Sequence, residues 1–177
     1  MAISWLRLSS WGRINEKVAD LVIARIVSGG QAGMDRAALV AALELSLPCG
    51  GWCPKGRKAE DGLIAPRYPL QETPTDDYAQ RTEWNVRDSD GTLVIVRGAP
   101  TGGTAQTIEF TSCLKKPCLV VDLENLIDPQ GVLEWAAAFG VSTLNVAGPR
   151  ESKCPGIYEQ TAAFLRTVLA AVLGDST

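Results

Sequence analysis

Ser28-Gly29-Gly30-Gln31-Ala32-Gly33 lies between an apolar β-branched pair, Ile26-Val27, and a stretch of good helix formers that begins at about Met34. Strand, glycine turn, helix is the arrangement that gathers backbone N–H groups and the positive end of a helix at one point, and such a point favours an anion. Gly29 and Gly30 carry no Cβ to keep a ligand off the backbone. Two more polar turns follow apolar runs. Thr101-Gly102-Gly103-Thr104 comes after Thr92 to Val96, and Gly148-Pro149-Arg150-Glu151-Ser152 after Thr143 to Ala147. Neither glycine turn is the dinucleotide fingerprint G-x-G-x-x-G, and neither has the Lys-Ser/Thr of a Walker A loop.

Charged and polar residues elsewhere could complete such a site. The backbone N–H groups of Gly29, Gly30, Gln31 and Gly33 would hold phosphate together with those of Gly102 to Thr104, with Thr101, Asp35 and Arg36 beside them. Lys55, Gly56 and Arg57, joined by Lys58, form a basic cluster in a polar loop, with Glu60 and Asp61 beside it. Arg81, Trp84, Asn85 and Asp88 share a helical face, and Ser89 and Asp90 end that stretch. Lys55, Arg57 or Arg150 would neutralise a ligand's charge, with Glu151 and Ser152 next to Arg150. Asp35, Asp88 or Asp90 would fix polar groups or brace arginines. The plainer readings are close-packed strand-to-helix turns, a solvated charged loop and a salt-bridged helix surface.

Composition removes several classes of function. The 177 residues carry a net charge of −3, which gives no electrostatic footprint for nucleic acid. No apolar run is long enough for a membrane helix. There is no histidine, so a Ser-His-Asp triad, a Cys-His pair and a His metal ligand are excluded, and acid–base work falls to Asp, Glu, Lys, Tyr or Cys. Five cysteines, Cys49, Cys53, Cys113, Cys118 and Cys154, make an odd number in a chain that is not small. They read as reduced thiols of a cytoplasmic protein rather than a disulfide framework or a zinc site, since neither C-x3-C nor C-x4-C is the usual knuckle spacing.

The elements that must position these residues alternate along the chain. Residues 1–24 read as an N-terminal extension with a short helix after Asn15; they lack the basic start and long apolar core of a signal peptide. A single domain then spans 25–177. Strands are expected at Ile26-Val27, within Leu47 to Pro54, and at Thr92–Val96, Pro117–Asp122 and Thr143–Ala147. Helices are expected at about 35–45, 75–87, 105–114, 129–139 and 156–173, with Gly140 as a left-handed cap. The proline-rich stretch 54–74 reads as an ordered excursion. Such alternation predicts an α/β fold, a Rossmann-like parallel sheet of about five or more strands with helices on both faces. Ligands in such sheets bind beyond the carboxyl ends of the strands, where all three polar turns should converge.

Several stretches taken together resemble one family: SGGQAGMDRAAL at 28–39, PKGRKAEDG at 54–62, YPLQET at 68–73, RTEWNVRDSDGTLV at 81–94, PTGGTAQT at 100–107 and AGPRES at 147–152. They are similar to the molybdenum carrier family, a circularly permuted YpsA-like branch of the SLOG superfamily related to the LOG/lysine-decarboxylase-like Rossmann proteins. The resemblance implies a pocket at the glycine turns, a nucleotide-derived or molybdenum-cofactor-like ligand, and dimers or larger homo-oligomers. Two departures stand out. Ala32 replaces a polar residue typical of the family. The LOG phosphoribohydrolases also resemble the chain at Gly102-Gly103, with Glu109 in the region of their acid, but Ala105-Gln106 replaces their second glycine-threonine pair.

Two functions compete on these grounds. One is a binding or carrier protein for a phosphorylated ligand. The other is a nucleotide hydrolase of N-glycosidase type using Glu60, Asp61, Asp88 or Glu109. A carboxylate with raised pKa in the pocket would favour the enzyme, and carboxylates committed to arginines would favour the carrier.

Overall fold

A computed structural model of the chain describes residues 23–125 and 128–174. The expected N-terminal extension, including the helix after Asn15, therefore lies outside the described residues apart from Ile23 and Ala24. Five strands form one parallel sheet: β1 (Arg25–Val27), β2 (Cys49–Gly50), β7 (Gly91–Val96), β8 (Cys118–Asp122) and β9 (Thr143–Ala147). Their order is β2-β1-β9-β7-β8. Five helices accompany them: α1 (Met34–Glu44), α2 (Tyr78–Arg87), α3 (Gly102–Cys113), α4 (Pro129–Phe139) and α5 (Ile157–Leu173). Helix α5 packs on both α1 and α4, whereas α2 packs on α3. Right-handed crossovers put the first group on one face of the sheet and the second on the other.

The sheet is apolar because both of its faces are covered. All six residues of β7 (GTLVIV) are buried, and Leu93, Ile95, Leu144, Val146 and Ile26 join Ile157, Leu165, Val168 and Leu169 of α5 in one core. Each large side chain so removed from water contributes about 1.5–3 kcal/mol. The four α5 residues recur at helical spacing, so one stripe of that helix is buried and the rest is solvated.

Strand β9 is last in the chain but lies in the middle of the sheet. Started from β9, the order would be the 3-2-1-4-5 pattern of a dinucleotide-binding sheet. The chain leaves β1 toward one edge and β7 toward the other, so the topological switch point lies at the carboxyl ends of β1, β9 and β7.

Several local expectations shift. The second strand breaks at Gly51 (φ 132°), where a Cβ would overlap the backbone of Ser28. Cys49–Gly50 stays in the main sheet, while β3 (Trp52–Cys53) turns away to pair in parallel with β6 (Gln71–Glu72). Between them β4 (Lys58–Ala59) and β5 (Gly62–Leu63) form a small antiparallel pair. The excursion is thus ordered, over a satellite core of Leu39, Cys53, Ile64, Tyr68 and Leu70. Helix α2 begins at Tyr78 rather than near 75 and is capped by Asp77, whose carboxylate accepts the N–H of Ala79. Helix α3 begins three residues before Ala105, so Gly102 and Gly103 belong to its first turn. Gly140 takes the left-handed conformation expected after α4 (φ 65°).

Candidate functional site

Ser28 follows β1, and its hydroxyl donates to the Val146 carbonyl at 2.8 Å, fixing the first glycine turn beside β9. In β9 itself Asn145 Nδ2 donates to Thr92 Oγ1 at 3.2 Å, which ties β9 to β7. These bonds hold three chain ends side by side. At the switch point they enclose a cleft of about 270 Å³, lined by Gly29, Gln31 and Asp35, by Thr101 to Thr104, and by Gly148, Pro149, Arg150 and Lys153. Helix α2 forms the remaining wall with Tyr78, Arg81, Thr82 and Asn85, spaced i, i+3, i+4, i+7. The two double-glycine turns therefore share one cleft.

Asn85 locks that wall in place. Its Oδ1 accepts the Trp52 N–H at 2.7 Å, and its Nδ2 donates to the Trp52 carbonyl at 2.9 Å. One turn earlier, Arg81 Nη1 lies 2.7 Å from Asp35 Oδ2, with both side chains largely buried. Tyr78 has the Arg150 guanidinium 4.7 Å from its ring centroid and that of Arg81 5.9 Å away.

The glycines of the first turn are required by packing. A Cβ at Gly29 would overlap the Arg81 guanidinium; at Gly30 (φ 75°) it would meet Leu70 and Ile64; at Gly33 (φ 91°) it would press on the backbone of Pro149 to Glu151. Gly30 therefore faces the satellite core. The first N–H of α1, that of Met34, is already bound to the Pro149 carbonyl at 3.3 Å. Helix α3 differs. The N–H groups of Gly102 and Gly103 have no partner among the described residues, and a Cβ at either would meet nothing within 4 Å. The anion-binding geometry expected of a helix start is therefore open at α3 and occupied by protein at α1.

The other residues singled out from the sequence fall into three groups. Arg36, Glu60, Asp61, Glu151 and Ser152 line a second, shallower depression with Gly33 and Tyr158, behind the wall formed by the first turn. There Arg36 pairs with Asp61 at 2.8 Å, Glu60 accepts from both N and Oγ of Ser152, and Glu151 caps α5 by accepting from Gly156 and Tyr158. Lys55, Gly56 and Arg57 lie in the excursion. The Arg57 guanidinium donates to the carbonyls of Ile64, Ala65, Tyr68 and Leu70, which pins the loop and commits four of its five N–H groups to protein. The Gly56 N–H goes to Glu72.

Trp84, Asp88, Ser89 and Asp90 lie away from the cleft. Trp84 packs edge-on against Trp52 at 4.7 Å, and Asp88 accepts from Trp52 Nε1 and from Arg87. Ser89 bonds to the Val86 carbonyl, and Asp90 accepts from Ser142 and Thr143 at the amino end of β7. Glu109 is an exposed residue of α3 outside the cleft lining. Sequence reasoning missed Tyr78, Thr82, Gln106, Thr107, Asn145 and Lys153; the i−3 spacings of Tyr78 from Arg81 and of Thr82 from Asn85 offered a signal for two of them.

The Arg36 hydrogen bond holds the Asp61 carboxyl below its ordinary value, and the Arg87 hydrogen bond does the same for Asp88, with Trp52 adding to it. Both shifts run opposite to what a general acid needs. Burial raises the thiols of Cys49, Cys53 and Cys118. No group of three potential metal ligands is assembled among the described residues.

The fold and cleft can now be set beside known proteins. A family model described as "Circularly permutated YpsA SLOG family" matches residues 26–169. The chain belongs to this family. A crystal structure of a "Putative molybdenum carrier protein" from Syntrophus aciditrophicus SB is 47% identical, with a TM-score of 0.80. The match covers 84% of this chain and 95% of that one. No curated protein matches.

Proposed function

We propose that this family member binds and carries a small phosphorylated ligand, nucleotide-derived or resembling the molybdenum cofactor, in the switch-point cleft. The observation that carries this reading is the division of charge there. The one carboxylate among the cleft-lining residues, Asp35, is paired with Arg81, whereas Arg150 and Lys153 form no salt bridge among the described residues. Together with the open first turn of α3, the cleft presents net positive potential to an anion. The name printed for the 47% identical structure points to molybdenum as a cargo and so supports a carrier over a catalyst. The hydrolase alternative gains no support: Glu60, Asp61 and Asp88 are engaged by protein groups, and Glu109 is outside the cleft.

A titration calorimetry panel of nucleoside phosphates and molybdopterin species is the direct test. At least one should bind. Replacing both Arg150 and Lys153 by Ala should weaken that binding by about tenfold or more, each charge-assisted contact contributing about 1.5–3 kcal/mol. A blank panel at millimolar ligand would overturn the reading. Chromatography of the nucleotide mixtures should show no released base.

The same reading places the protein in the cytoplasm, where its five free cysteines would stay reduced. No helix among the described residues is long and apolar enough to cross a membrane. The family resemblance further suggests a homodimer or larger homo-oligomer, which light scattering on the eluting protein would measure.

A further inference from the structure

The cleft is not uniform in charge from one end to the other. Beside β7 lie the unpartnered amides of Gly102 and Gly103, and after β9 come Arg150 and Lys153. Beside β1 the balance is neutral: Arg81 is matched by Asp35 at 2.7 Å, and Gln31 carries no charge. With β9 between β1 and β7, the two ends are two strand spacings apart, roughly 9.6 Å.

The neutral end holds two donors without acceptors. Gln31 Nε2 and Arg81 Nε are both sealed from solvent and have no hydrogen-bond partner among the described residues. Gln31 is only 3% exposed. Its orientation is determined by its bonds: Oε1 accepts the N–H groups of Ala32 and Glu60, so the unpartnered end of the amide is the NH₂ group. Native interiors seldom leave such donors unpaired, and each one left so is destabilising.

Resting on the reading of this cleft as the site of a phosphorylated ligand, we infer that its β1 end recognises a carbonyl oxygen. The ligand is then a phosphorylated oxo-heterocycle, with phosphate at α3 and a lactam C=O that accepts from Gln31 and Arg81. An amino-heterocycle would set its exocyclic N–H against N–H where the oxo compound offers an acceptor. A second phosphate is disfavoured because Asp35 already neutralises the guanidinium.

Inosine and adenosine monophosphates differ at this point, one carrying an oxo and the other an amino group at C6. Titrated into the full chain, the inosine compound should bind about tenfold or more tightly than the adenosine compound. Gln31→Glu keeps the side chain's shape and leaves one oxygen for Ala32 and Glu60, but turns the donor into an acceptor. It should weaken the inosine compound by about tenfold and abolish the preference. Should melting show that this variant does not fold, Arg81→Lys keeps a cation beside Asp35 but lacks Nε, and it should shrink the same ratio. Equal affinities for the two nucleotides, or a ratio unchanged by these variants, would overturn the inference while leaving the carrier reading intact. Binding of neither nucleotide, with only a phosphorylated ligand lacking a ring C=O retained, overturns the inference as well; only a blank panel removes both.

Discussion

Gly29-Gly30 follows β1 and Gly102-Gly103 follows β7, so the two pairs stand at the same edge of one parallel sheet. Their surroundings differ. A Cβ on the first pair would run into Arg81 and Asp35 at Gly29 and into Leu70 and Ile64 at Gly30. Around the second pair there is open space. Glycine serves compactness in one turn and access in the other. A double glycine in a strand-to-helix turn therefore does not by itself identify a ligand cradle; the backbone's neighbours decide.

The sharpest way to break this contrast is to add a methyl group to the crowded turn. Gly33→Ala would drive Cβ into the Pro149–Glu151 backbone at a positive φ. It should destabilise the fold by about 3 kcal/mol or more, a fall of roughly 10 °C in Tm. Calorimetric melting would show it, and a variant as stable as the native chain would refute the packing account.

On the open side the expectation reverses. Gly103→Val finds room for its side chain and should leave the melting temperature almost unmoved, within about 0.5 kcal/mol. Because Gly103 lines the cleft, the same variant should lose the ligand identified by titration. Unchanged affinity would mean that the ligand does not approach the start of α3.

The smallest effect concerns the second depression. The Arg36 hydrogen bond lowers the Asp61 pKa from 3.8, so this contact stabilises the fold at neutral pH. The gain is lost as pH falls through the lowered folded value. Asp61 is about half exposed, so the gain is below about 1 kcal/mol. Asp61→Asn should melt slightly below the native chain at pH 6, and the gap should close as pH falls below the ordinary carboxylate range. A gap that persisted in acid would show that the ion pair is not its source.

Much of the sheet was legible because β7 is an apolar run and β9 a largely apolar one between turn residues, and because Gly140 marks the end of α4. The shared cleft also followed from strand alternation. Individual roles did not. Arg57 looks like a free cation in sequence, yet its left-handed backbone (φ 52°) points it inward to four carbonyls from residues 64 to 70. Asp88 and Arg81 share a helical face on paper. A modest angular difference sends one to Trp52 and the other to Asp35, and only the tertiary placement of β3 reveals the split. Lys153 had no periodic or motif signal, because it comes from an irregular turn whose path depends on Gly33 and Met34.

The late arrival of β9 has a consequence for biosynthesis. Until Thr143–Ala147 leaves the ribosome, β1 and β7 have no strand to join them, and neither the core nor the cleft can close. Sheet formation then has to draw together segments more than fifty and more than a hundred residues apart, which makes for slow, strongly non-local folding. The switch-point cleft is thus assembled only when most of the chain has been translated.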